Sequence, residues 1–282
     1  MYVQKDFRSR DIGLETGLLL ARYLLDTENL HYGYWANGLE LKFQNLPAAQ
    51  EKYTEFLLSH IPAGVKSVLD VGCGAGVTAE TLLERGCEVE CVAPQTALLD
   101  CARQRLGDRA KVHAARFQDF EPTRKFDLVL FSESFQYVPF EQALPHALRF
   151  LDDGGHVLIC DFFKIQGKKK SPIGGGHKLH EFIKQAAKLN AAIVTDIDIT
   201  AQTAPNLDLV DDFLTRVGKP GYEMLMEHAM ATYPKLTRVV RWWNKEKIEK
   251  VEHKYFSGIR NAQTFSEFKT YRLLLLRKGG AK

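Results

Sequence analysis

From Lys66 onward, short apolar runs alternate with longer amphipathic stretches. "SVLDVG" (67–72), "EVECVA" (88–93), "KVHAARF" (111–117), "KFDLVLFSES" (125–134) and "GHVLICDFF" (155–163) read as strands. Between them "VTAETLLERG" (77–86), "ALLDCARQRLG" (97–107) and "FEQALPHALRFL" (140–151) place apolar residues at helical spacing, the first stopped by Gly86. Strands separated by helices of this length predict a parallel sheet with right-handed crossovers. The expected fold class is therefore α/β, an open, doubly wound and mainly parallel sheet.

The flanks follow other patterns. Residues 11–60 read mostly as helix, in "TGLLLARYLL" and "PAAQEKYTEFLLSHI", where Tyr53, Phe56, Leu57 and Ile61 share a face. The polar and aromatic "ENLHYGYWANGLE" separates the two. Beyond Phe163, "KIQGKKKSPIGGGHK" is the most loop-like part, followed by the helix "KLHEFIKQAAKLN" and the strand-like "AIVTDIDIT". Residues 206 to about 256 look helical, with Leu236, Val240, Trp243, Val251 and Tyr255 on a recurrent apolar face. "FSEFKTYRLLLLRK" resembles a terminal hairpin strand. The expected organisation is an N-terminal helical arm (1–60), an α/β core (61–165), a substrate-side loop and helical lid with a sheet strand (166–260), and a terminal sheet strand (261–282).

Composition narrows the class. Of 282 residues, 45% are hydrophobic and 26% charged, which suits a globular chain that buries its core without disulfides or metals. A net charge of +3 lacks the strong basic bias of a dedicated nucleic-acid binder. The five cysteines (Cys73, Cys87, Cys91, Cys101, Cys160) include no CxxC pair and read as small buried hydrophobes in a reducing compartment. No zinc ligand set is apparent. "MYVQKDFRSRDIG" lacks the apolar core of a signal peptide, and neither "GLLLARYLL" nor "LLLL" is long enough to span a membrane, so a cytoplasmic location is expected.

The candidate chemistry begins where the first strand ends, in "VLDVGCGAG" (68–76). Gly72, Gly74 and Gly76 permit a tight turn at the carboxyl end of a strand, where open α/β sheets bind ligands. A phosphate loop needs Lys-Ser or Lys-Thr after the last glycine, and a dinucleotide fingerprint needs glycine where Val77 stands. Asp70 lies two positions before Gly72. This D-x-G-x-G-x-G arrangement, opening a βαβ series after a helical arm, resembles the first motif of class I S-adenosylmethionine-dependent methyltransferases. "KFDLVLFSESFQYV" is similar to their fourth-strand motif and "ALRFLDDGGHVLICDFF" to their post-strand motif. "HYGYW" (31–35) resembles the aromatic N-terminal segment of the small-molecule branches acting on quinones, sterols, sugars and fatty acids. The resemblance covers roughly Tyr53–Phe163.

That resemblance implies S-adenosyl-L-methionine as cofactor on a Rossmann-like core. Carried over residue by residue, it makes Tyr34, Asp70, Gly72, Cys73, Gly74, Gly76, Phe117, Gln118, Asp119 and Ser132 the expected cofactor-binding set. Two positions depart from the pattern. Ala93 stands where the second strand usually ends in a ribose-binding acid, which leaves Gln95 or backbone groups for that task. Arg116 stands at the adenine-binding acid, which leaves Gln118 and Asp119. Methyl transfer requires alignment and exclusion of water, and a base only when the acceptor must lose a proton. Glu133 and His31 are the candidate catalytic residues. His177 and His180 flank the lid.

The expected activity is methyl transfer to an O, N or C atom of a small-molecule acceptor, lipophilic or aromatic, as in natural-product biosynthesis. A homodimer is left open, and no nucleic-acid partner is expected. Two alternatives stand beside it. "RVVRWWNKEKIEKVEHK" with Lys168–Lys170 would suit an RNA-directed enzyme, although Glu246, Glu249 and Glu252 interrupt it. Ala93 would suit a protein that binds the cofactor without catalysis. The glycine-rich, lysine-bearing 167–176 loop is a candidate gate for an anionic acceptor.

Overall fold

Two helices, α1 (Ser9–Leu25) and α2 (Leu46–Ser59), precede the sheet in the computed structural model, which describes residues 9–94, 96–168 and 171–279. The alternation then runs β1 (Ser67–Val71), α3 (Val77–Glu84), β2 (Glu88–Ala93), α4 (Ala97–Leu106), β3 (Lys111–Ala114), β4 (Phe126–Ser132), α5 (Phe140–Arg149), β5 (Leu151–Lys164), α6 (Leu179–Lys188) and β6 (Ala191–Asp198). A helical insertion follows: α7 (Thr200–Thr203), α8 (Pro205–Phe213), a π-helical turn at Leu214–Gly218, α9 (Lys219–Thr232), α10 (Pro234–Trp243), α11 (Lys245–Phe256) and α12 (Ala262–Phe268). The last strand is β7 (Lys269–Lys278).

The seven strands lie in the order β3-β2-β1-β4-β5-β7-β6. All pairings are parallel from β3 to β5, and β7 runs antiparallel to both β5 and β6. The expected terminal hairpin strand is thus an interior strand that joins β6 to the rest. Its run "LLLL" is explained by that place: Leu273 and Leu275 pack on one face of the sheet, Leu274 and Leu276 on the other. The neighbouring strands alternate likewise, Leu128 and Leu130 opposite Val129 and Phe131. α2, α3 and α4 cover the first face through Tyr53, Leu57, Leu82, Leu99 and Leu106. α5 and α6 cover the second through Leu144, Ala147 and Phe182.

The chain leaves β1 toward β2 on one side and reaches β4 on the other, so a crevice opens where their carboxyl ends diverge. The helical arm and the insertion relate to it differently. α2 buries Tyr53, Thr54, Leu57 and Leu58. No residue of α9, α10 or α11 is buried. Among the described residues no helix is long and apolar enough to cross a membrane.

Candidate functional site

β1 delivers Asp70 to the crevice one residue before the strand ends, and its side chain is 2% exposed. Oδ2 of this carboxyl is buried with no hydrogen-bond partner. Burial alone pushes its pKa up to about 7. A buried oxygen without a donor is costly, so the site asks for a donor that the described residues do not provide. The backbone beyond it turns in the left-handed region at Gly72 (φ 81°) and Gly74 (φ 56°). A Cβ at Gly72 would stand 2.5 Å from that of Ser134, whose hydroxyl donates to the Val71 carbonyl. At Gly74 the same Cβ would project into open space. The first glycine lets two strand ends meet, and the second leaves a cradle.

That cradle is the floor of a cavity of about 550 Å³. β1 and its turn give Asp70, Gly72, Cys73 and Gly74; β2 gives Val92 and Ala93; the β3 side gives Arg116, Phe117 and Gln118; and β4 gives Ser132 and Glu133. Tyr137, Val138 and Pro139 close another side. The roof comes from the N-terminal arm, as Leu14 and Glu15 of α1 with Glu28, Leu30 and His31 of the following loop. Glu15 accepts a hydrogen bond from the Ala97 amide at 3.2 Å. Arg105 of α4 clasps Glu28 at 2.6 Å and Glu80 at 2.5 Å, while Arg22 and Arg109 add the outer pairs. Hydrogen bonds from these arginines hold the Glu80 carboxyl below the usual carboxylate range. Sequence reading did not pick out this clasp, since its members lie far apart along the chain and look like ordinary surface charges.

Glu133 follows β4 with φ at 52°, a conformation uncommon for a residue with a side chain. Its backbone amide donates to the Cys160 carbonyl at 2.9 Å. Oε1 accepts from the Tyr32 amide and from the Tyr271 hydroxyl, each at 2.7 Å. Among the described residues no hydrogen bond to Oε2 accompanies these. Burial pushes the carboxyl up to about 8, against the lowering pull of those two donors. Tyr53 stands 3.1 Å from the Tyr271 hydroxyl and 3.2 Å from Ser132 Oγ. The buried Asp161 lies one layer further back, held by the Gln136 amide at 3.0 Å and the Phe162 amide at 2.8 Å, with burial raising it to about 7. A carboxyl on a strained residue, with one oxygen fixed and the other unpaired, is equipped to accept a proton from a bound ligand.

His31 serves differently. Its ring stacks on Tyr53 at 4.5 Å, Nδ1 donates to the Tyr32 carbonyl at 2.9 Å, and Nε2 lies 3.3 Å from the Thr54 hydroxyl. Burial lowers it to about 4, so it is neutral near pH 7. It lines the cavity.

Of the expected cofactor residues, Asp70, Gly72, Cys73, Gly74, Phe117, Gln118 and Ser132 are brought together around one space. Gly76 lies just beneath, at φ 85° before α3. Tyr34 does not join them: its ring stacks on Phe56 at 4.9 Å and its amide donates to the Ala49 carbonyl. Asp119 is exposed and pairs with Arg116 at 2.6 Å, outside the lining. Gln95 lies outside the described residues. His177 packs beneath the loop after β4, within 3.2 Å of the Phe135 carbonyl and 3.1 Å of Val138's. No residue of the helical insertion lines the cavity.

Comparison with known proteins agrees with this geometry. Residues 68–155 match a family model described as a methyltransferase domain. Over 101 residues the chain is 26% identical to malonyl-[acyl-carrier protein] O-methyltransferase 1 of Ilyobacter polytropus, a match covering 34% of this chain and 38% of that protein. Over 223 residues it is 26% identical to trans-aconitate 2-methyltransferase of an Enterobacter species, covering 69% and 83%. The chain thus spans about two fifths of the length of the first curated relatives it matches, 38% to 40%. In structure it resembles geranyl diphosphate C-methyltransferase from Streptomyces coelicolor A3(2), solved with S-adenosyl-L-homocysteine. The TM-score is 0.66 at 17% identity, over 93% of this chain and 92% of that one.

Proposed function

We propose that this chain, whose residues 68–155 form a class I S-adenosylmethionine-dependent methyltransferase domain, methylates a small-molecule acceptor. S-adenosylmethionine is the cofactor of that domain. The residues present fit its amino-acid end: the donorless Asp70 oxygen suits an ammonium group, and the open face of Gly74 lets backbone approach a carboxylate. Phe117 and Gln118 suit the adenine, and the small Ala93 leaves the ribose to backbone groups. The observation that carries the reading is the unpartnered, buried carboxyl of Asp70 above a glycine cradle.

When bound, the cofactor supplies a sulfonium-activated methyl group, which an acceptor lone pair takes as the carbon–sulfur bond breaks and its electrons return to sulfur. What the chain's residues contribute is alignment and dryness. α1, tied through Arg22 to the Glu28 that Arg105 clasps, covers the cavity. Leu14, Leu30, Tyr137 and Val138 favour a lipophilic or aromatic acceptor over a highly charged one. Glu133 takes the acceptor's proton on Oε2 while Tyr271 and the Tyr32 amide hold Oε1. His31 holds the Tyr32 carbonyl and so the loop that reaches Glu133. A cytoplasmic site of action fits the reading, as does a role in natural-product biosynthesis.

Titration calorimetry with S-adenosylmethionine tests it. The wild-type chain should bind, Gly74→Val should not, and Asp70→Asn should lose about 1.5–3 kcal/mol, roughly ten- to a hundredfold in affinity. Affinity should rise with pH up to about 7 as Asp70 ionises, with a proton released on binding below that. An acceptor screen reading S-adenosylhomocysteine then identifies the substrate. Binding unaffected by either substitution would sink the proposal.

A further inference from the structure

The helical insertion carries an amphipathic element with no use in the cavity just described. Residues 228–245 contain Lys235, Arg238, Arg241 and Lys245 and no acidic residue. On α10, at about 100° per residue, Leu236, Val239, Val240 and Trp243 fall on one side and Arg238 and Arg241 on the other. Trp242 and Lys235 mark the boundary. The apolar side is not covered by the protein: Leu236 is 64% exposed, Val239 53%, Val240 47%, Trp242 80% and Trp243 82%. A solvent-facing helix of a water-borne protein normally shows its polar side. Here the apolar side stands in water as openly as Lys235, Arg238 and Arg241 do.

We infer that α10 is a membrane-surface anchor, which lies in the headgroup region of an anionic bilayer with Leu236, Val239, Val240 and Trp243 facing the acyl chains and Trp242 at the boundary. Three observations select this occupant. The cations of α10 are unopposed by acids on the helix, as binding to anionic headgroups requires. Paired tryptophans at the end of the helix suit the boundary between headgroups and hydrocarbon, where an indole is at once apolar and hydrogen-bonding. The exposed aliphatic side chains gain from hydrocarbon and gain nothing from a phosphate backbone, which argues against a nucleic acid. A second copy fits less well, because a two-fold interface over α10 would set Lys235, Arg238 and Arg241 against the same cations. The inference stands apart from the methyl-transfer reading and does not require it.

Co-sedimentation of the full chain with vesicles decides the matter, using phosphatidylcholine alone and phosphatidylcholine mixed with phosphatidylglycerol. Binding should appear on the mixed vesicles, weaken with salt, and shift the tryptophan emission to the blue. Trp35, 9% exposed, supplies a constant background. The double variant Trp242→Glu/Trp243→Glu should bind vesicles at least about tenfold more weakly, and Lys235→Glu/Arg238→Glu should lose the preference for the anionic lipid. Both should keep the wild-type melting temperature and S-adenosylmethionine affinity, since neither pair touches core or cavity. The proposal is overturned if the wild type ignores mixed vesicles or if the glutamate variants bind them equally well. It is equally overturned if light scattering shows a dimer that the tryptophan variants dissolve, or if the same variants abolish binding to RNA while vesicles are ignored.

Discussion

The helices before the sheet and the helices inserted after β6 look alike as sequence and behave differently as structure. α2 turns its apolar residues inward and buries Tyr53, Leu57 and Leu58, while α9, α10 and α11 bury nothing. The arm is also bound into the site. Its loop meets Glu133 through the Tyr32 amide, and Arg105 clasps Glu28 of the same loop, which Arg22 of α1 also pairs. The insertion is attached by its ends, where α8 buries Leu207 and Asn206 exchanges hydrogen bonds with Gly33 at 2.8 Å. Helical spacing shows that an apolar face exists; what covers it is decided by the rest of the fold. One set of helices completes a pocket and the other offers a surface.

Four experiments sharpen or break that contrast. The largest effect is expected at Tyr53, where Tyr53→Ala should cost about 3–5 kcal/mol in urea unfolding, against less than about 0.5 kcal/mol for Leu236→Ala. Comparable losses at the two positions would mean that the insertion has a core of its own. Next, with an acceptor in hand, Glu133→Gln should lower kcat by about 10²–10⁴ and leave cofactor affinity nearly unchanged, whereas Glu252→Gln in α11 should alter neither. Equal turnover of Glu133→Gln and wild type would remove this carboxyl from the reaction.

Third, the folded chain holds Asp70, Asp161 and Glu133 at about 7, 7 and 8, above their values in an unfolded chain. A raised carboxyl binds its proton more tightly when folded. Stability of the unliganded chain should therefore fall as pH rises from about 5 to about 8, through the window separating the unfolded and folded pKa values. Chemical denaturation at a series of pH values measures it, and a flat or rising profile would contradict burial of these groups. The smallest effect is expected at Arg105. Arg105→Ala breaks pairs that are about one quarter exposed and should cost about 1 kcal/mol, seen as faster limited proteolysis within α1 and weaker cofactor binding. The insertion should be cleaved at an unchanged rate.

Much of the fold was legible because parallel strands buried on both faces leave continuous apolar runs, as in "DLVLF" and "VLICDFF". The floor of the site was legible for a related reason: Asp70 and the glycines sit in one short segment whose spacing carries the geometry. The remainder is long-range. Tyr271 stands 138 positions from the Glu133 it bonds, and Arg105 stands 77 from Glu28, so neither pairing leaves a local trace. "HYGYW" was read as one aromatic unit, yet only His31 lines the cavity while Tyr34 turns away onto Phe56. The end strand reads as a terminal hairpin strand, and sequence order says nothing of its place between β5 and β6.

That intervening strand sets the order of events in folding. β6 has no contact partner in the sheet other than β7, and β7 is separated from it by the whole insertion of α7–α12. As the polypeptide emerges from a ribosome, the five strands from β3 to β5 have what they need to associate, but β5 keeps a bare hydrogen-bonding edge until β7 arrives. Until β7 pairs with it, that apolar margin is open to strands of other molecules, and the same strand closes the edges of β5 and β6.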